Sequence, residues 1–167
     1  TVEANVRLPL ELGRAARNDE SRHDEFREKQ VESALQVVGL SEARHKRPHE
    51  LSGGMRMRVS LARAMVTKPR LLLLDEPFAA LDEITRFKLQ EDLRALWKRN
   101  TVTIVFVTHS MSEAAFLGTR QIVLTPKPAR IARDHVSGLG ETRDALLRSK
   151  SEYLEETKLL QRSLVES

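Results

Sequence analysis

Apolar residues recur at helical spacing through the first third of the chain. Residues 1–12 read as a short amphipathic helix capped by Thr1, and 13–22 as a polar connection. From 23 to 38 Val31, Leu35 and Val38 share one face, with Gly39 placed to stop the helix. Pro48 interrupts the chain before Leu51-Ser52-Gly53-Gly54. From there a helix is predicted to residue 67, because Met55, Val59, Ala62 and Met65 or Val66 recur on one face before Lys68-Pro69 ends it.

The texture then changes. Leu71-Leu72-Leu73-Leu74 is wholly apolar and closes on Asp75-Glu76-Pro77; its shortness and flanking prolines predict a buried strand. Asp82 caps a predicted helix to about residue 99 that turns Leu89, Leu93 and Leu96 inward. Residues 102–107 are rich in β-branched side chains and read as a second buried strand, ending at Thr108-His109. Ser110 with Glu113 makes a capping box for a helix that stops at Gly118. Residues 121–124 and 130–135 flank Thr125-Pro126-Lys127-Pro128-Ala129 as a hairpin-like pair, and from about residue 142 two polar helices are predicted.

Strand–helix–strand order predicts a parallel sheet covered by helices, an α/β fold with an all-helical first third beside it. The expected organisation is a helical subdomain over 1–67, a parallel-sheet core over 68–138 and a helical tail over 139–167. Open parallel sheets bind ligands at the carboxyl ends of their strands. Asp75, Glu76 and His109 occupy two such ends, so one site can hold all three.

Each of these groups has a bland reading and a chemical one. Ser52, Gly53 and Gly54 open a helix, where free amides, the helix dipole and a close backbone approach favour a phosphate. An ordinary N-cap after a flexible turn has the same residues. Acids at the end of an apolar strand are costly if buried, unless paired or metal-bound. Adjacent strand residues point to opposite sides, so Asp75 would hold a Mg²⁺ shell and Glu76 would orient or deprotonate a water. A solvated turn is the alternative. His109 alone would be a structural histidine, but Glu76 stands at the neighbouring strand end.

Composition narrows the function classes. The chain of 167 residues is 40% hydrophobic, enough for one domain with a core. No apolar run reaches the roughly 18 residues of a bilayer span, and no secretory leader is visible. With no cysteines, disulfides and thiolate metal sites are excluded. Lys and Arg outnumber Asp and Glu by 28 to 24, but the charges are interspersed and aromatics are only 4%, so no nucleic-acid partner is expected.

Leu51-Ser52-Gly53-Gly54, the Leu-rich strand with Asp75-Glu76-Pro77, Ala80-Leu81-Asp82 and Thr108-His109, in that order, resemble the signature motif, Walker B strand, D-loop and H-switch of the ABC ATPase family. The resemblance covers about residues 1–136. Met55, residues 78–86 and residues 124–131 look further like importer ATPases of the nitrate/sulfonate/taurine group. Two positions depart from the family pattern: Met57 stands where Gln is usual, and Ser110 where Asp is common.

The resemblance implies the carboxyl-terminal part of a P-loop, RecA-like ABC ATPase domain with an N-terminal helical subdomain. It implies ATP and Mg²⁺, a second ATPase subunit, membrane-spanning permease subunits, an extracytoplasmic binding protein reached indirectly, and a peripheral place on the cytoplasmic face of the membrane. Glu76 and His109 would be catalytic, Asp75 would hold the metal through water, and Asp82 would lie at the subunit interface. Ser52, Gly53 and Gly54 would touch the partner subunit's nucleotide. None of the seven glycines begins a Gly-x-x-x-x-Gly-Lys loop, so an N-terminally truncated subunit without ATP turnover of its own is expected. A non-transport ABC ATPase acting on DNA or ribosomes, and a non-catalytic remnant, are the alternatives.

Overall fold

Thr1 Oγ1 accepts a hydrogen bond from the Ala4 amide at 3.2 Å and caps helix α1 (Val2–Leu12), as predicted. The structure, a computed structural model, describes residues 1–12 and 20–165. Helix α2 (Glu20–Val37) takes in residues 20–22 of the predicted connection, and the remaining part, 13–19, lies outside the described residues. Gly39 stops α2 in the left-handed region at φ 68°. Its amide donates to the Gln36 carbonyl at 3.1 Å and the Leu40 amide to that of Leu35 at 2.9 Å. Glycine is needed there because a Cβ disfavours that backbone conformation.

Helix α3 (Gly53–Met65) ends just before Lys68 turns left-handed at φ 51°. It serves two cores. Val59 and Ala62 pack with Val2 and Val6 of α1 and with Val31 and Leu35 of α2, whereas Leu61 joins Leu72, Phe78, Leu89 and Leu93. Helical periodicity sends these two sets to different faces, so α3 joins the helical layer to the sheet layer.

Strands β1 (Leu71–Asp75) and β2 (Thr103–Val107) pair in parallel, Leu71 opposite Thr103 and Asp75 opposite Val107. Helix α4 (Glu83–Arg99) makes the crossover, capped by Asp82, whose carboxylate accepts from the Thr85 amide at 2.9 Å. That bond and its neighbours hold the Asp82 carboxyl below the ordinary range. The strands are not buried on both faces as predicted. Leu72 is buried against α4, yet Leu71 is 51% and Leu73 68% exposed, and Val105 and Val107 are about half exposed. A run of four leucines is the pattern of a strand covered on both sides. Among the described residues only the α4 side is covered.

Helix α5 (Met111–Leu117) precedes the antiparallel pair β3 (Arg120–Leu124) and β4 (Ile131–Val136). The predicted tail of two polar helices is instead a 3₁₀ turn, Ala145–Ser149, followed by helix α6 (Ser151–Val165). Helix α6 buries Tyr153 and Leu160 against Phe116 and Val123, and the Tyr153 hydroxyl donates to the Ser112 carbonyl at 2.9 Å. Its apolar stripe is narrow, which is why the segment reads as polar in sequence.

The carboxyl end of α5 is closed by two arginines. Arg143 Nη1 donates to the carbonyls of Ala115, Phe116 and Gly118 at 2.9, 3.1 and 2.8 Å, and Arg94 Nη1 to that of Leu117 at 3.0 Å. A cation suits the negative end of a helix dipole, and its N–H groups satisfy carbonyls that the helix leaves free. Burial, with Arg94 nearby, pushes the Arg143 guanidinium down to about 10, so it keeps its charge at neutral pH.

Candidate functional site

Parallel pairing carries two chain segments to one sheet end. Beyond Asp75 the ladder continues for one bond, the Glu76 amide donating to the Val107 carbonyl at 3.0 Å. The backbone then turns: Glu76 has φ 41°, and its carbonyl accepts from the Ala79 amide at 3.2 Å. A non-glycine residue in the left-handed region costs roughly 1–2 kcal/mol, so the surroundings must hold it there. Phe78, fully buried and 5.5 Å from the Phe106 ring, anchors the turn.

This turn sets the direction of Glu76. Strand alternation does not, because β1 ends at Asp75, so the expected division of the two acids by pleat parity does not apply. Nor are the acids buried. Both are exposed, and Glu76 finds its partner in His109, with Nδ1 3.1 Å from Oε1. With the proton on Nδ1 the imidazole donates to the carboxylate, which steadies it while leaving its second oxygen free to accept. Sequence pattern and structure agree that these two side chains share a site.

The Asp75 carboxylate has no hydrogen bond or ion pair among the described residues. Those residues hold no group of three or more His, Cys, Asp or Glu able to cage a metal. An all-oxygen donor such as Asp75 suits Mg²⁺, which keeps several waters and takes few protein ligands. The residues present therefore fit an ion whose other ligands are phosphates and water, and not a protein-caged one.

At the start of α3, Ser52 Oγ accepts from the Met55 amide at 3.2 Å, an N-cap worth about 0.5–2 kcal/mol. The glycines have a packing role that the phosphate reading did not include. A Cβ on Gly54 would lie 2.7 Å from Thr85 Cγ2, and one on Gly53 3.2 Å from Leu81 Cδ2. The helix start thus abuts the turn that Asp82 caps. Gly54→Ala is expected to destabilise the chain by about 1–2 kcal/mol despite alanine's better helix propensity, because the contact with Thr85 must open. Equal urea midpoints for the two proteins would refute this packing role.

The predicted capping box at Ser110 forms only in part. Ser110 Oγ accepts from the Glu113 amide at 3.3 Å, but the Glu113 carboxylate does not reach back to the Ser110 amide. It turns inward instead, to Thr108 Oγ1 at 2.6 Å and Gln90 Nε2 at 3.2 Å. Spacing alone cannot reveal this, since the competing partner Gln90 lies on another helix.

Residues 2–79 match the ABC transporter family. The chain is 42% identical over 149 residues to the taurine import ATP-binding protein TauB of Rhizobium johnstonii, covering 87% of this chain and 54% of that protein. It is 50% identical over 99 residues to the nitrate import ATP-binding protein NrtD of Synechococcus elongatus, covering 59% and 36%. With the bicarbonate transport ATP-binding protein CmpC of Synechococcus elongatus it shares 51% over 131 residues, covering 77% and 19%. The chain thus spans about half, or less, of the length of these curated relatives. A solved chain described as a metal-chelate type ABC transporter in an inward-facing conformation superposes with TM-score 0.60 at 22% identity, covering 73% of this chain and 47% of that one. At that identity the likeness concerns the fold.

Proposed function

We propose that this chain belongs to the ABC transporter family of ATP-binding subunits and powers import of a small anion by ATP hydrolysis. The observation that carries the proposal is the contact between Glu76 and His109, 3.1 Å apart at the ends of two parallel strands. Glu76 accepts a proton from the attacking water as that water's oxygen bonds to the γ-phosphorus and the bridging oxygen leaves with ADP. His109 holds the Glu76 carboxylate in place. Asp75 would hold Mg²⁺ through water, and the ion when bound would supply charge neutralisation on the phosphates. Ser52 and the amides of Gly53 and Gly54 meet the γ-phosphate bound to the partner subunit, and Asp82 lies where the two subunits meet.

Taurine, nitrate and bicarbonate name the relatives, and each is a small oxyanion or carries an anionic group. This supports a substrate of that class, passed through permease subunits on which the ATPase sits from the cytoplasmic side. No helix among the described residues is long and apolar enough to cross a membrane.

Mixed dimers test the shared site, with this chain carried in a polypeptide of the relatives' full length. With Ser52→Arg on one subunit and Glu76→Gln on the other, both lesions fall on the same composite site. The second site stays intact, and hydrolysis persists at a reduced rate. With both substitutions on one subunit, each site carries one lesion and hydrolysis is lost. The reverse outcome would place the signature on its own subunit's nucleotide, and equal rates would remove it from the interface.

A further inference from the structure

A buried polar chain leads from the carboxyl-terminal segment to the residues on either side of His109. Arg148, on the 3₁₀ turn, lies 3.6 Å from the centre of the Phe116 ring and 4.3 Å from that of Phe87. Its Nη2 donates to Gln90 Oε1 at 2.9 Å. Gln90 is 1% exposed and donates through Nε2 to Glu113 Oε1 at 3.2 Å. Glu113 Oε2 accepts from Thr108 Oγ1 at 2.6 Å, and Thr108 Oγ1 accepts from the Ser110 amide at 3.0 Å. Arg86 faces the same carboxylate, its Nε 3.8 Å from Oε1, while its Nη2 holds the Leu81 carbonyl at 2.8 Å.

Donor chemistry gives this chain a direction. A guanidinium only donates and a carboxylate only accepts, so the amide between them has one satisfactory orientation. The bonds therefore converge on Glu113. A network that served only to dock the tail would be complete at Gln90. This one continues to Thr108 and Ser110, which bracket a histidine whose side chain is 75% exposed and, among the described residues, has Glu76 as its polar partner. Little else fixes the ring, so the loop backbone sets its position, and Glu113 holds that loop.

We infer that Glu113 is a positioning residue for His109, and that Gln90 and Arg148 make the position of His109 depend on how the carboxyl-terminal segment is docked. The inference rests on the reading of His109 as the partner of Glu76. It makes the tail a point of control: whatever displaces the 3₁₀ turn from Gln90 also frees the loop that carries His109.

The test uses ring-labelled histidines in the chain, with ¹H–¹³C spectra at fixed pH. Arg148→Met keeps a stem over the two aromatic rings and removes the donor. Thr108→Val keeps the shape at the other end and removes the hydroxyl, which Thr108→Ser restores. Both Arg148→Met and Thr108→Val should move the His109 ring resonances by more than a line width and leave His45 and His49 in place. Thr108→Ser should return them towards wild type, and the double variant should move them no further than the larger single shift. If Arg148→Met loses the dispersed His45 and His49 signals, it has unfolded. Gln90→Met then cuts the same chain at its middle and carries the same expectation. An unmoved His109 in a folded Arg148 or Gln90 variant, or additive shifts in the double variant, would overturn the coupling. The spectra require no hydrolysis, so the coupling and the assignment of Glu76 can fail separately.

Discussion

If the proposed function holds, Glu76→Gln is expected to lower ATP turnover by about 10²–10⁴-fold, the usual contribution of a positioned general base, while ATP still binds. The substitution is made in a polypeptide of the relatives' full length, and turnover is read as phosphate release at saturating ATP. The size of the effect follows from how the residue is held. Its amide is fixed to the Val107 carbonyl and its carbonyl to the Ala79 amide, so the backbone at φ 41° is set by the ends of β1 and β2. A glutamine therefore occupies the same place with nearly the same shape. It can accept a hydrogen bond from water but not its proton. The loss should fall on kcat with KM for ATP little changed, because no interaction with the bound phosphates is removed. ATP-bound dimers should accumulate and be visible by size-exclusion chromatography. Turnover at the wild-type rate would remove Glu76 from the chemistry.

Arg143→Met is expected to destabilise the chain by about 3 kcal/mol, since each buried carbonyl left without a donor costs roughly 1–3 kcal/mol and several lose theirs together. Arg143 is the common donor for the carbonyls of Ala115, Phe116, Gly118, Leu139 and Gly140. Methionine fills much of the volume and supplies none of these bonds. Helix α5 is only seven residues long, and the carbonyls of Ala115, Phe116 and Gly118 at its end each lose a donor. Arg143→Lys should fall in between, since one ammonium with three donors cannot reach all the carbonyls arrayed around the edge of the guanidinium plane. The comparison is made by urea unfolding, monitored by the single Trp97. A loss below about 1 kcal/mol would mean that water replaces the donors freely.

Much of the local structure was legible because it is decided within a few residues. Thr1, Ser52, Asp82 and Ser110 each accept from an amide three residues on. Gly39 stops its helix through two bonds that reach back no further than Leu35. The order of the helix start, the acidic strand end and the histidine pointed to a nucleotide-hydrolysing family because every one of those features is a short motif.

Where burial or a distant partner decides, the sequence alone determined less. It showed β1 as an apolar strand, but which of its faces is covered depends on α4 and on what stands opposite. The residues on that second face, Leu71 and Leu73, are exposed. It put Glu76 beside Asp75, but a left-handed turn anchored on Phe78, and not strand parity, aims the carboxylate at His109. Glu113 has the spacing of a cap and the environment of a core residue, and the environment prevailed because Gln90 lies within reach across 23 positions. The tail was read as polar, yet Arg148 meets Gln90 across 58 positions and buries its charge between two rings. Caps, stops and strand ends were thus set by neighbours along the chain. The site's geometry and its link to the tail were set by contacts that exist only once the layers have packed, because a charge or carboxylate pays its desolvation only where partners from other elements converge on it.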